Sequence, residues 1–314
     1  MKLIYKKNEY YLFGLKLVLL SLLFLLMNFD RELNADYGNY LANYENDWWQ
    51  FEIGFELLTL PFKYFNIDFS YFWILLLLVE SLLIALFYRN NRVFLLAFPN
   101  LVFLSQGLLG TQVRFAFAIC LFLVLFSLKK KKKYFWLASL FPVLFHNSII
   151  IVFFLSNSMK YFLNVKRKIL LKKNLLWLFL FILSLVAISL LMDFILVQSG
   201  YYYYVGTKFQ EGKSLSSLIY LFLSLFLLLF LLTRPVNRKY SEYIYLSFII
   251  IVFSLIFAKS SVISGRFTLV YTLLEPFVLY YFYQSIGKKK LFFPFFILYC
   301  IFCYLKLFTI TLKV

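Results

Sequence analysis

A single histidine, three cysteines and only 14 acidic residues leave this 314-residue chain short of the side chains that most active sites use. One histidine, His146, cannot build a histidine metal site, and Cys300-x-x-Cys303 has no second pair to complete a zinc site. Both of those cysteines, and Cys120, sit in apolar runs as small fillers. No Walker loop, Rossmann glycine pattern or Gly-x-Ser-x-Gly elbow occurs. An enzyme made from this chain is expected to take a pre-activated, membrane-borne substrate, with no nucleotide or other cofactor. No strand-like alternation argues for a barrel. The run Tyr11 to Met27 imitates a signal peptide, but Asn28-Phe29-Asp30 lacks the small residues of a cleavage site, so an uncleaved first span is expected.

What is present is apolar surface. Hydrophobic residues make up 63% of the chain and aromatic residues 23%, with 42 Phe and 25 Tyr. A soluble protein must cover its exterior with polar groups, and this composition cannot. Repeated apolar runs of about 17–25 residues fit bilayer-crossing helices instead. The net charge of +18 suggests nucleic acid only until its distribution is seen. Lys129 to Lys133, the Lys166-Arg167-Lys168 cluster with Lys172 and Lys173, and Lys288 to Lys290 each lie between apolar runs, as the positive-inside bias dictates. No nucleic-acid partner is expected.

The charges set a topology. Lys2, Lys6 and Lys7 place the N-terminus in the cytoplasm, and the first span lies near 12–28. Residues 29–68 follow as an outward-facing amphipathic and re-entrant segment, then a span at 69–88 returns to Arg89 and Arg92. Two short pairs, 93–105 with 112–128 and 134–146 with 147–159, precede spans near 174–196, 215–233, 242–258, 267–286 and 291–308. The expected fold is all-α: one polytopic membrane domain, 1–314, of about eleven spans with short broken or re-entrant helices. Of the 32 Lys and Arg, 22 fall in the inner segments, whereas eight of the 14 acidic residues lie between Asp30 and Asp68, outside. Pro99 and Pro142 are expected to interrupt the short pairs.

Polar groups at membrane depth are costly, so each is a functional candidate. Tyr37, Tyr40 and Tyr44 recur at helical spacing, as do Trp48 or Trp49 with Glu52 and Glu56. Together with Asp36 they predict an interfacial helix of rings and carboxylates. Rings stack on sugars and carboxylates act as bases; the alternative is an aromatic belt at the headgroups. Arg114, two residues after Gln112, and Arg266, after Ser264-Gly265, each stand at the mouth of a span. Arginine's planar fork suits a lipid pyrophosphate, and snorkelling to ordinary headgroups is the alternative. Histidine is the residue type suited to act as a base near neutrality, and His146 stands at the break of a short pair, as a base or as a structural residue. Glu80 and Glu275 lie within spans, to pair with buried groups or line a cavity.

Five pieces in order resemble the EpsG/Wzy-type polysaccharide polymerases of bacterial envelopes. They are Asp36-Tyr37 with Tyr40 and Tyr44; Trp49-Gln50-Phe51-Glu52-Ile53-Gly54-Phe55 with Leu57-Leu58; Gln112-Val113-Arg114 with Phe115-Ala116; Phe145-His146-Asn147-Ser148; and Ser264-Gly265-Arg266-Phe267. The similarity covers about residues 30–270. Phe115 stands where the family often has glutamine, so Gln112 supplies that polar group from the other side. Asn147 stands where a basic residue is common. The resemblance implies a metal-independent, GT-C-like glycosyltransferase of the cytoplasmic membrane, acting at its periplasmic or outer face. Its substrate would be a polyprenyl-pyrophosphate-linked oligosaccharide, its surroundings membrane lipid, and a candidate partner a chain-length regulator protein. It would move a growing glycan from polyprenyl pyrophosphate onto a single lipid-linked repeat unit. Arg114 and Arg266 would hold the pyrophosphate, Tyr37, Tyr40 and Trp49 the sugars, and Glu52, Asp36 or His146 would take the acceptor proton. A ligase moving a finished glycan, and a flippase without chemistry, are the rivals. No internal repeat supports transport.

Overall fold

The computed structural model describes residues 7–30, 34, 36–128, 135–157, 213–233, 240–286 and 292–311, with isolated positions between 187 and 198. The basic clusters at 129–133, 160–173 and 288–290, most of the span near 174–196, and the tyrosines at 201–204 lie outside the described residues. Among the described residues every regular element is helical. Four helical stretches are long and apolar enough to cross a membrane: Tyr10–Met27, Phe69–Phe87, Leu215–Leu232 and Ser261–Ser285. The chain divides into two compact units, Met1–Phe153 and Phe154–Val314.

The first unit is built on α1 (Lys7–Met27), α4 (Phe69–Phe87), α5 (Asn91–Gly107) and α6 (Val113–Leu128), with short helices α2 (Tyr37–Glu45) and α3 (Ile53–Tyr64) between α1 and α4. Asp68 caps α4 by accepting from the Ser70 amide at 2.7 Å, and Asn90 caps α5 by accepting from the Arg92 amide at 3.0 Å. Two ties orient α1. Lys16 donates to the Tyr88 and Arg89 carbonyls at 3.0 and 2.9 Å, satisfying the orphan acceptors at the end of α4. Asn28 donates to the Ser105 carbonyl near the end of α5 at 2.9 Å. So α1 runs antiparallel to α4 and parallel to α5. Four helix ends (the ends of α1 and α5, the starts of α4 and α6) meet at one end of the unit, where the α2–α3 connection also lies. Arg89 and Arg92 mark the opposite end.

The short pairs come out differently from one another. Pro99 lies inside α5, which continues through it for 17 residues. The proline forfeits only the bond to Leu95, on an exposed side of the helix, and the rest of the ladder survives. Pro142 does sit in a broken stretch: α7 (Phe135–Ala138) gives way to a 3-10 turn, Phe141–Leu144, and the chain turns helical again at 149–157. This turn packs on α6 and on α3. The contact with α3 is close because Gly54 faces it without a side chain. A Cβ there would stand 2.7 Å from the Leu144 carbonyl oxygen and 2.9 Å from its carbon, both backbone atoms that cannot swing away. Gly54→Ala is therefore expected to cost about 1–3 kcal/mol of stability, read as a lower melting temperature in detergent.

The second unit contains α8 (Leu215–Thr233), α9 (Ser241–Ile256), α10 (Ser261–Ile286) and α11 (Phe292–Thr311). The α9–α10 pair forms its core, with α8 against both and α11 against α8. Glu275 is buried on α10 and accepts from Tyr220 and Tyr299 hydroxyls at 3.0 and 2.9 Å. The Lys306 ammonium lies 3.5 Å from Oε2, the oxygen that also accepts from Tyr299, and donates to the Tyr220 hydroxyl at 3.0 Å. Lys306, placed on the outer side by the charge count, is thus spent on an internal pair. Glu80, on α4, is fully buried without a hydrogen bond among the described residues.

Candidate active site

The turn between α2 and α3 carries most of the candidate chemistry. Asn46 ends α2 by donating both its main-chain and side-chain N–H groups to the Ala42 carbonyl, at 3.0 and 2.8 Å. Asp47 and Trp49 then take left-handed backbone conformations, φ 51° and 50°. For a residue as bulky as Trp49 this costs about 1–3 kcal/mol and persists only where neighbours impose it. Asn43 and Glu56 impose it. The buried Glu56 carboxylate accepts from Asn43 Nδ2 at 3.0 Å and from the Phe51 amide at 3.0 Å, while Asn43 Oδ1 accepts from the Gln50 amide at 3.0 Å. Lys63 pairs with Asp47 at 2.6 Å, and the Tyr44 hydroxyl donates to the Ile67 carbonyl at 2.6 Å.

This corrects the expected single amphipathic helix. The spacing of Trp48, Trp49, Glu52 and Glu56 does not describe one helical face: the turn intervenes, Glu52 sits just ahead of α3, and Glu56 is consumed inside it. The two carboxylates part company. Glu56 is structural, and Glu52 is presented at the helix-end surface.

Arg114, in the first turn of α6, meets Glu52 there. Its Nη1 forms an ion pair with Glu52 Oε2, its Nε donates to the Tyr40 hydroxyl at 3.4 Å, and its guanidinium carbon lies 4.0 Å from the Phe51 ring centre. Rings of Tyr40 and Phe55 complete the cage at 5.4 and 6.0 Å. Glu52 Oε1 accepts from the main-chain N–H of Asn147 at 3.2 Å, which brings the broken-helix tip into the same cluster. His146 is buried beside Phe115, with ring centres 5.3 Å apart. Its Nδ1 accepts from the Ser148 amide at 3.3 Å, with the Ser148 hydroxyl at 2.8 Å. An amide can only donate, so Nδ1 is unprotonated here and the ring proton is on Nε2.

Other expected residues stand at varying distance from this centre. Tyr37 lies behind it, edge-on to Trp73 at 4.9 Å, while Tyr40 touches Phe51 at 5.1 Å. Burial pushes the Tyr40 phenol up, and the Arg114 charge opposes this, with Asp36 adding a smaller upward push. Tyr40 therefore stays neutral at physiological pH. Asp36 precedes α2 without a side-chain capping bond. Trp49 is half exposed on the strained turn. Gln112 keeps its side-chain oxygen buried without a hydrogen bond among the described residues. Arg266 belongs to the second unit, on α10, where its Nε is buried without such a bond. Lys213, which the sequence reading passed over, donates to Thr268 Oγ1 at 2.7 Å in that unit, and burial pushes its ammonium down to about 8. Phe51 and the Asn147 amide also belong to the site, although an apolar ring and a main-chain N–H carry no charge signal in a sequence.

A model of the EpsG family matches residues 14–313, nearly the whole chain. The chain belongs to the EpsG family. No curated protein and no solved structure matches it. Membership ties this EpsG chain to membrane-associated polysaccharide assembly, and the clustered residues fall on the motifs that carried the resemblance.

Proposed function

We propose that this EpsG-family chain is a polysaccharide polymerase, transferring a growing glycan from polyprenyl pyrophosphate onto a lipid-linked repeat unit. The observation that carries it is the cluster of Arg114, Glu52, Tyr40 and the Asn147 amide at one end of the first unit. A guanidinium and a main-chain amide are donors for phosphoryl oxygens, a carboxylate stands beside them as base, and rings offer sugar-stacking faces.

In the proposed step an acceptor hydroxyl oxygen attacks the anomeric carbon of the donor's first sugar. The carbon–oxygen bond to the pyrophosphate breaks, and its electron pair leaves on the pyrophosphate oxygen. Arg114 offsets the charge that develops there, the role a metal plays elsewhere. Glu52 takes the hydroxyl proton. Glu52 is preferred to His146 as base because it stands directly against Arg114, the cation offered to the phosphate, whereas His146 Nδ1 is turned to Ser148. In the second unit Arg266 is the cation offered to a phosphate. The charge distribution supports an N-terminus in the cytoplasm, about eleven crossings and a site on the outer face of the cytoplasmic membrane.

Deleting the gene and resolving surface glycan on a gel tests this directly. A ladder collapsing to single repeat units supports the polymerase. Complete loss of surface glycan points to the ligase, and an unchanged ladder removes both.

A further inference from the structure

The Glu52 carboxylate accepts from two donors, and neither belongs to its own helix: Arg114 Nη1 on α6 and the Asn147 amide at 3.2 Å. That pairing is a donor set for an anion, here filled by a side chain. We propose that Glu52 is a resident stand-in for the diphosphate. It fills the Arg114–Asn147 cradle while the site is empty, is displaced by a phosphoryl oxygen of the lipid-linked donor, and only then is free to accept the acceptor's proton. This rests on the reading of Arg114 as the diphosphate ligand and adds an order: the donor lipid arms the base.

Three observations carry the exchange. The guanidinium has holds besides Glu52: Phe51 lies 4.0 Å beneath it and the Tyr40 hydroxyl accepts from its Nε at 3.4 Å. The carboxylate is not fastened by α3, since Glu52 occupies the N-cap position yet makes no capping bond. Finally, the pair is mostly but not wholly covered, with 19% and 13% of the two side chains exposed, so an incoming anion has access. A diphosphate, with more charge and more oxygens than a carboxylate, wins the shared donors.

An internal competitor weakens binding, so removing its charge must strengthen binding even as it removes the base. The test uses the full-length protein in detergent, with farnesyl diphosphate as probe in calorimetric titrations, and a parallel chain-elongation assay. Glu52→Gln is expected to bind the probe about tenfold more tightly while elongation falls by about a hundredfold or more. Glu52→Asp, whose shorter arm cannot reach both donors, is expected to bind more tightly too and covers the case in which the glutamine variant misfolds. If both variants bind no better than the parent while Arg114→Lys binds worse, the stand-in idea is wrong and the diphosphate site survives. If parent and Arg114→Lys bind the probe equally, the diphosphate site itself is wrong.

Discussion

Replacing Arg114 with lysine is expected to slow chain elongation about a hundredfold, the scale of losing one preorganised donor to a developing oxyanion. Charge is conserved in this variant and the ion pair with Glu52 can re-form, so a site needing only a cation would tolerate it. Two things are lost. The flat guanidinium packs at 4.0 Å on Phe51 and donates through Nε to Tyr40 while Nη1 faces Glu52. An ammonium has no plane to stack and no fork to divide between partners. The measurement is the length distribution of lipid-linked glycan made by cells expressing the variant at the parent's level. Long chains at that level would falsify the phosphate-binding role of Arg114.

Glu275→Ala is expected to be strongly destabilising to the described part of the second unit. It leaves Lys306 buried without its counter-charge and two tyrosine hydroxyls without their acceptor. Breaking a buried pair from one side costs about 3–5 kcal/mol, because the remaining charge is desolvated and unpaired. The partner experiment discriminates the cause. Changing both residues together, Glu275→Leu with Lys306→Met, fills the space with apolar atoms and is expected to recover most of the loss. Thermal unfolding of the detergent-solubilised protein reads both; a double variant as unstable as the single one would show that shape rather than charge matters there.

Helices on the scale of a bilayer announce themselves by composition, so α1, α4, α8 and α10 were legible in the sequence, although α1 begins at Lys7 and α10 at Ser261, each five or six residues ahead of the expected span, which places Arg266 inside α10 and not at its mouth. Arg114 and Glu52 were legible for another reason: a charge beside an apolar run has few cheap explanations. What the sequence hid was which of several evenly spaced polar residues turn inward. Glu52 and Glu56 are four apart and look equivalent on a helix, yet two left-handed residues, Asp47 and Trp49, end the helical register before Glu52. No propensity rule places a tryptophan in that conformation; the Asn43–Glu56 clamp, a contact thirteen residues apart, does. Pro99 misled for a similar reason. A proline's local penalty is readable along the chain, whereas the packing of α1 on α5 is not.

The close seating of Gly54 on Leu144 bears on the clock of the reaction. It fixes the start of α3 against the turn that leads into His146 and Asn147, so neither segment has slack to swing. Glu52 must then leave Arg114 by rotating its own side-chain bonds, with no movement of the α3 backbone. Capture of the donor would be paced by lipid diffusion in the bilayer and not by a slow opening of the protein.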